Sequence, residues 1–409
     1  MRLRSQDSRK LLATAAVGCV VASAGCNLLV TEKRTFVRPT TASTADSSSM
    51  SSSSNGGSSS ASGAGGAGGA SCTDTLSDDA NCGECGHACQ AGHCANGTCQ
   101  IIWLSGALQD SRYHKIVADP GPGGFVYVAS YDTRSVYRHV KNDNSEPPQL
   151  IAQVTNAGNA KLFDLAVNDT AVYFSILNGD NPTPDQGFYS VKKDVTPSTP
   201  PEPPLLECGG GLWGPNLIRT HDSRVFVSTA FDKLGIGYFS TGQVAITPLL
   251  NFTGQLPLHQ SPNGMVTDGT SLYFDGSSGG IQKMDVVPGA NATPIYPNES
   301  GAVVAKRDDG TIYWLVQQQE IRRGRVDGQL PAQTVIPIDT YARGIVDAGR
   351  YLYVADGPNI KRVAVDMPQP GPVETVVTVK SDVVGAIATD GVSLFWLMFS
   401  DGRIFQQSL

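Results

Sequence analysis

Ten polar, charged and aromatic residues stand close to the starts of six apolar runs, and they are the first candidates for a functional site. They are Arg112, His114, Trp213, Asn216, His259, Asn263, Glu299, Tyr341, Arg343 and Asp382. Glu299, Asp382 and the two asparagines carry the oxygen ligands that Ca²⁺ prefers. If folding brought these four together, a bound ion could polarise a carbonyl group for hydrolysis. The same mixture of charge and aromatic surface also suits ligand binding without catalysis.

Sequence motifs of catalysis give the hydrolase hypothesis little support. The chain has no His-Glu-x-x-His pair and no Gly-Lys phosphate loop. His114, His139, His221 and His259 are isolated from one another in sequence, and a lone histidine is typical of a surface or hydrogen-bonded position. We therefore assign no catalytic residue, no cofactor and no resident metal.

Six cysteines crowd into residues 72–99 and form a second chemical feature. They are Cys72, Cys82, Cys85, Cys89, Cys94 and Cys99. In an exported chain this density predicts a small module held by three disulfides, whose pairing the spacing leaves open. A zinc site built from Cys82, Cys85 and Cys89 with His87 and His93 is the alternative. Cys208 lies far from the cluster, and we expect it to be an inert thiol.

The N-terminus predicts export. Four basic residues precede the apolar segment 11–24, which is shorter than the roughly 20 residues that a membrane-spanning helix needs. Residues 1–25 are thus expected to be a signal peptide. Ala24 and Gly25 before Cys26 resemble the lipobox of bacterial lipoproteins, which implies lipidation of Cys26; ordinary signal cleavage is the alternative.

Residues 26–71 predict a flexible linker, because from Thr40 onward they are almost entirely Ser, Gly, Ala and Thr. The formal net charge is −7, and removal of the signal segment, whose net charge is +3, leaves about −10. Nucleic acid is excluded as a partner, because phosphate contacts need a basic surface.

Residues 100–409 contain the elements that must position the ten candidates. An apolar run, a turn and a second apolar run with a central aromatic recur seven times, and Met265 to Phe274 is the clearest copy. The central aromatics are Tyr127, Tyr173, Phe226, Tyr273, Tyr313, Tyr353 and Phe395, between 40 and 53 residues apart. This spacing, with two further strands per repeat, predicts an all-β fold: a seven-bladed β-propeller of four-stranded blades. The aromatics are expected to pack between blades.

The last repeat ends at Leu409 after only three strands, which leaves a blade incomplete. The apolar segment 100–104 precedes the first repeat and has no blade of its own. We therefore predict that this N-terminal strand closes the ring and covers the open edge.

Two family resemblances accompany this pattern. Asp309-Gly310-Thr311-Ile312-Tyr313-Trp314 and Leu394-Phe395-Trp396 resemble the propeller repeats of the TolB and YWTD groups. The run from Asp79 to Cys99 resembles a Cys-rich module of secreted and lipoprotein chains of myxobacteria. These resemblances imply a monomeric protein of the bacterial cell envelope, at the outer membrane or cell surface, or else periplasmic or secreted.

The sequence thus favours a lipid-anchored propeller that binds a protein, a glycan or another envelope component without catalysis. A Ca²⁺-dependent hydrolase resembling propeller lactonases and a structural envelope protein without a specific ligand are the alternatives.

Overall fold

Most of the repeat domain is described by a computed structural model of the chain. The described residues are 94–95, 98–99, 102–103, 113–121, 123–143, 145–155, 160–177, 186–195, 205–209, 215–229, 234–240, 246–251, 262, 264–276, 280–366, 368–379, 382–400 and 402–409. The chain divides into two units, Met1–Ala67 and Gly68–Leu409. The first unit lies wholly outside the described residues.

Seven four-stranded antiparallel sheets form a seven-bladed propeller, as the repeat spacing predicts. The innermost strands of blades 1 to 7 are β4 (Tyr113–Ala118), β8 (Lys161–Val167), β12 (Pro215–His221), β16 (Met265–Thr267), β20 (Ala302–Lys306), β24 (Ala342–Ala348) and β28 (Val384–Thr389). The second strands are β5 (Phe125–Ser130), β9 (Ala171–Leu177), β13 (Arg224–Thr229), β17 (Ser271–Gly276), β21 (Thr311–Val316), β25 (Tyr351–Asp356) and β29 (Ser393–Met398).

The two outer strands of each blade complete the sheets. The third strands are β6 (Ser135–Val140), β10 (Gly187–Lys192), β14 (Leu234–Ser240), β18 (Gly280–Asp285), β22 (Glu320–Arg325), β26 (Asn359–Ala364) and β30 (Ile404–Ser408). The outermost strands are β7 (Gln149–Gln153), β11 (Leu205–Gly209), β15 (Thr247–Asn251), β19 (Thr293–Tyr296), β23 (Gln333–Pro337), β27 (Val373–Thr378) and, in blade 7, β3 (Ile102–Trp103).

The turn between the first two strands of a blade is fixed by local chemistry. In blade 4, Gly269 takes a φ of +82°, which an L side chain adopts only with strain. The Oδ1 atom of Asp268 accepts hydrogen bonds from the backbone N–H groups of Thr270 at 3.0 Å and Ser271 at 2.8 Å. Asn168 repeats this arrangement in blade 2. In these two turns, the side chain of a turn residue therefore accepts hydrogen bonds from the backbone of its own turn.

Apolar packing lies between blades, so the core is divided into seven parts. Each of seven clusters of buried side chains joins two neighbouring blades, including blades 7 and 1. The seven central aromatics are all buried, none with more than 3% of its surface exposed. Packing between blades, the role expected for these aromatics, is confirmed. Each blade is stabilised by its two neighbours.

An N-terminal strand completes blade 7, as predicted. Ile102 pairs with Gln406, and Trp103 pairs with Phe405, so β3 lies antiparallel to β30. The propeller therefore joins its first and last strands within one sheet, which covers the edge of β30.

Two short strands precede the propeller, β1 (Cys94–Ala95) and β2 (Thr98–Cys99), and they pair antiparallel with Cys94 opposite Cys99. The described part of the chain contains no helix with the length and hydropathy to cross a membrane.

Candidate functional site in the central channel

The innermost strands surround a central channel that holds a cavity of about 590 Å³. Ligand-binding cavities commonly measure about 300–1,000 Å³. We call the end at which the innermost strands begin the upper mouth, and the end at which they finish the lower mouth. Among the described residues, the charged groups that line the channel are Lys115, Asp164, Arg219, Arg343 and Asp347. Basic groups outnumber acidic groups here, although the whole chain has a net charge of −7.

At one level of the channel, strand register places charge in two neighbouring blades. At this level, the innermost strands of blades 1, 2, 5, 6 and 7 pair with the residue two beyond the central aromatic of the same blade. The residues at this level in blades 1, 2, 5, 6 and 7 are Lys115, Asp164, Ala302, Gly344 and Ala386. A Cβ atom at Gly344 would lie 3.0 Å from the backbone nitrogen of Ile387, so blades 6 and 7 approach closely there. Lys115 and Asp164 thus lie in blades 1 and 2, with small residues at the same level in blades 5 to 7.

Asp164 is the centre of this charged side. Its carboxylate is 2% exposed and lies between two cations: Lys115 Nζ is 3.4 Å from Oδ1, and Arg219 Nη1 is 2.8 Å from Oδ2. The backbone N–H of Ile218 donates to Oδ2 at 2.9 Å. One buried carboxylate therefore links the innermost strands of blades 1, 2 and 3.

Asp164 stays ionised despite its burial. Burial alone would raise the pKa of the carboxyl group, but Lys115, Arg219 and the N–H groups of Ile218 and Leu165 outweigh it and hold the pKa below its usual value. The charge of Asp164 fixes both cations in place, so they do not need to reorganise when an anion approaches.

Both cations keep N–H groups that have no acceptor among the described residues. Arg219 donates from Nε to the carbonyl of Met265 at 2.8 Å and from Nη1 to Asp164 and to the carbonyl of Ile218. Its Nη2 has no acceptor among the described residues. Lys115 has Asp164 as its one charged neighbour in the same part of the chain. The side chain of Lys115 is 38% exposed and that of Arg219 is 32% exposed, so a ligand in the channel can reach both.

At the upper mouth a guanidinium group lies between two aromatic rings. Arg343 stands 4.0 Å from the ring centre of Phe399 and 5.5 Å from that of Tyr341. Tyr341 is 50% exposed, which is unusual for an aromatic in this structure. Gln318 also lines the channel, and its Oε1 atom is buried with no donor from the described residues. The upper mouth therefore offers an exposed ring, a cation and an acceptor.

The lower mouth has its charges paired. Arg307 Nη1 lies 3.3 Å from the carboxylate of Asp347. Burial raises the pKa of Asp347, and Arg307 opposes that rise without cancelling it. Lys306 and Asp268 form a second pair at 3.1 Å. The donors that remain available lie deeper in the channel and at the upper mouth.

Three of the ten sequence candidates lie where the pairing between the first and second strands of a blade is irregular. His114 and Arg343 are the extra residues of β-bulges in β4 and β24, and Asn216 lies in the irregular start of β12. A bulge re-aims a side chain and is common beside functional sites. Tyr341 and Arg343 come together; Arg112, Trp213, His259 and Asn263 lie outside the described residues, as does the side chain of His114.

The carboxylate oxygens proposed for Ca²⁺, those of Glu299 and Asp382, are engaged by protein groups. Both oxygens of Glu299 accept from Arg322, at 3.0 and 2.9 Å, and one also accepts from the indole of Trp314. Asp382 accepts from Ser400 and from the N–H of Val383. The described His, Cys, Asp and Glu side chains form no group of three that could hold a metal ion.

Sequence reasoning missed the residues that carry the channel's charge. Lys115, Asp164 and Arg219 interrupt otherwise apolar innermost strands, and a charge within such a strand is the signal that could have identified them. Phe399, on which Arg343 stacks, gave no signal because the contact joins two blades.

The sequence also contains a match to a serine-hydrolase motif. Residues 276–280 read Gly-Ser-Ser-Gly-Gly, which has the Gly-x-Ser-x-Gly spacing. That motif acts at a turn from a strand into a helix. Here the matching residues connect the antiparallel strands β17 and β18 and not a strand and a helix, so they differ from the turn that carries a nucleophilic serine.

Several predictions fall outside the described residues: the signal peptide, Cys26, the linker, and the side chains of the six clustered cysteines and Cys208. They remain predictions.

Comparison with known proteins supports the fold alone. No protein-family model matches the sequence, and no curated protein matches it. Among solved structures, the WD40 propeller domain of Doa1 is 14% identical, with a TM-score of 0.54, and the match covers 75% of this chain and 96% of that one. A streptogramin B lyase is 15% identical, with a TM-score of 0.54, over 76% and 97%. An inactive virginiamycin B lyase from Staphylococcus aureus, bound to quinupristin, is 15% identical, with a TM-score of 0.53, over 76% and 99%. Because one fold serves many functions, these likenesses leave function open.

Proposed function

We propose that this protein is an exported, lipid-anchored propeller that binds a protein, glycan or other component of the bacterial cell envelope at the upper mouth, without catalysis. The observation that carries the proposal is the channel of about 590 Å³ whose upper mouth presents the half-exposed ring of Tyr341 beside Arg343. Arg343 lies in β24 and Tyr341 immediately precedes that strand, so little ordering is needed when a ligand binds.

The similar solved propellers include a WD40 domain and lyases, so fold alone does not separate binding from catalysis. The contacts of Glu299 and Asp382 favour binding, because each carboxylate already accepts hydrogen bonds from protein donors. A Ca²⁺-dependent hydrolase would have to break these contacts to free its ligands.

The test is a binding assay with defined envelope material. Purified protein is immobilised and exposed to soluble peptidoglycan fragments, lipopolysaccharide and capsular polysaccharide, and binding is measured by interferometry. We expect one of these to bind wild type and to bind Tyr341→Ala at least tenfold more weakly. Leu330→Ala, an exposed apolar side chain away from the channel, is the matched control and should bind as wild type does.

Failure of all three materials to bind, or equal binding by Tyr341→Ala, would overturn the proposal. A melting temperature raised by several degrees with Ca²⁺ would instead favour the hydrolase.

A further inference from the structure

We infer that the wall formed by blades 1 to 3 is a binding site for an organic carboxylate, and that this group anchors the ligand of the channel. The inference rests on the proposed binding function and names the chemical class that the channel selects. Lys115 and Arg219 are the residues that contact the ligand, and Asp164 positions them.

The arrangement of charge favours an anion over a cation or a neutral ligand. A single buried carboxylate faces two cations, so this wall has one positive charge in excess. Arg343 adds another at the upper mouth, where only aromatic rings lie against it among the described residues. Lys115 and Arg219 are only 38% and 32% exposed, so an uncompensated charge here attracts an anion more strongly than a fully exposed charge would.

The geometry of the donors favours a carboxylate. The Nη2 group of Arg219 is available to donate to a ligand. Lys115, on the other side of Asp164, also has N–H groups available to donate. An arginine and a lysine held by the same carboxylate can each donate to one oxygen of a ligand carboxylate, which gives two charge-assisted hydrogen bonds. Asp164 accepts from Ile218 as well, so it remains anchored when a second anion approaches.

The rest of the ligand has room and partners of its own. The small residues at the level of Asp164 in blades 5 to 7 leave the channel open opposite the cations. Gln318 also lines the channel, and a turn of its side chain toward the ligand would present the now buried Oε1 to a hydroxyl or amide group. Two sources supply such a ligand: an acidic sugar, or the C-terminal carboxylate of a peptide.

Titration calorimetry with small carboxylates tests the inference. Glucuronate represents the acidic sugar and N-acetylalanine the peptide end; glucose and N-acetylalanine amide are the neutral counterparts. We expect at least one carboxylate to bind, its neutral counterpart to fail, and affinity to fall as NaCl is raised. The carboxylate that binds identifies the source.

Lys115→Gln and Arg219→Gln should each weaken the binding by about 10- to 100-fold, since each removes a hydrogen bond to a charged group. Lys283→Gln is the matched control, because its ammonium is exposed on the third strand of blade 4. If Arg219→Gln does not fold, Lys115→Gln and the salt series decide.

Binding of neither carboxylate, or equal binding of a carboxylate and its neutral counterpart, would overturn the inference. Should an envelope component bind in the earlier assay while both carboxylates fail, the binding function stands and the carboxylate site alone is wrong.

Discussion

Closure of the ring depends on a buried ion pair between blades 7 and 1. A substitution of Lys141, which supplies the ammonium group, should therefore strongly lower the stability of the protein. Its ammonium lies 2.9 Å from Asp390, and both side chains are 1% exposed. The same Nζ donates to the carbonyls of Asp119 at 2.5 Å and Gly121 at 2.6 Å. Lys141→Met keeps the length of the side chain and removes its charge and its donors.

The expected loss follows from burial. Removing one partner of a buried ion pair leaves the other charge without compensation and costs about 3–5 kcal/mol. For a domain of about 300 residues the unfolding entropy is about 0.6 kcal/mol per kelvin, so the melting temperature should fall by about 5–8 °C. Calorimetry measures both the midpoint and the enthalpy, which also checks that unfolding is cooperative.

Two companion variants make the result interpretable. Lys283→Met removes an exposed ammonium 3.9 Å from Asp285 and should change stability by no more than about 0.5 kcal/mol. Asp390→Asn in addition to Lys141→Met removes the uncompensated charge, while its Oδ1 can still accept from Val392 and Ser393. The double variant should melt above the single one. A midpoint for Lys141→Met within about 2 °C of wild type would refute the reasoning.

Three further outcomes are expected. Deleting residues 100–104 should lower the melting temperature, because β30 loses the strand that covers it; an unchanged midpoint would contradict closure. Gly264→Ala would place a Cβ 2.4 Å from the backbone of the next innermost strand and should cost about 1–3 kcal/mol in urea denaturation, whereas Gly123→Ala meets open space. Burial opposes ionisation of Asp356, but Lys361 and nearby N–H groups lower its pKa to about 2. The stability contributed by this depressed carboxyl is complete above its unfolded pKa, about 4, and disappears as pH falls toward 2. Unfolding free energy should therefore change less between pH 5 and pH 2 in Asp356→Asn, and identical pH slopes would count against this account.

Local signals made the propeller predictable from sequence. The turn at Asp268 and Gly269 is encoded by neighbouring residues, and the aromatics recur at a period that only a few architectures share. Even ring closure could be predicted, because a missing strand at one end of the chain matches a spare strand at the other.

The site depends on contacts that no local pattern shows. Lys115, Asp164 and Arg219 belong to three blades, and their contact requires the relative register of three innermost strands. The bulges that shift this register have no clear sequence mark. Glu299 looked like a metal ligand for the same reason: its partner Arg322 lies across the blade rather than beside it in sequence.

The pairing of β3 with β30 also has a consequence for the order in which the protein is made. A ribosome releases β3 about 300 residues before β30 exists, so this contact closes one of the longest loops in the molecule. Until it forms, the third strand of blade 7 has an uncovered edge. Synthesis of β30, rather than folding of any one blade, therefore sets the earliest moment at which β3 can complete blade 7.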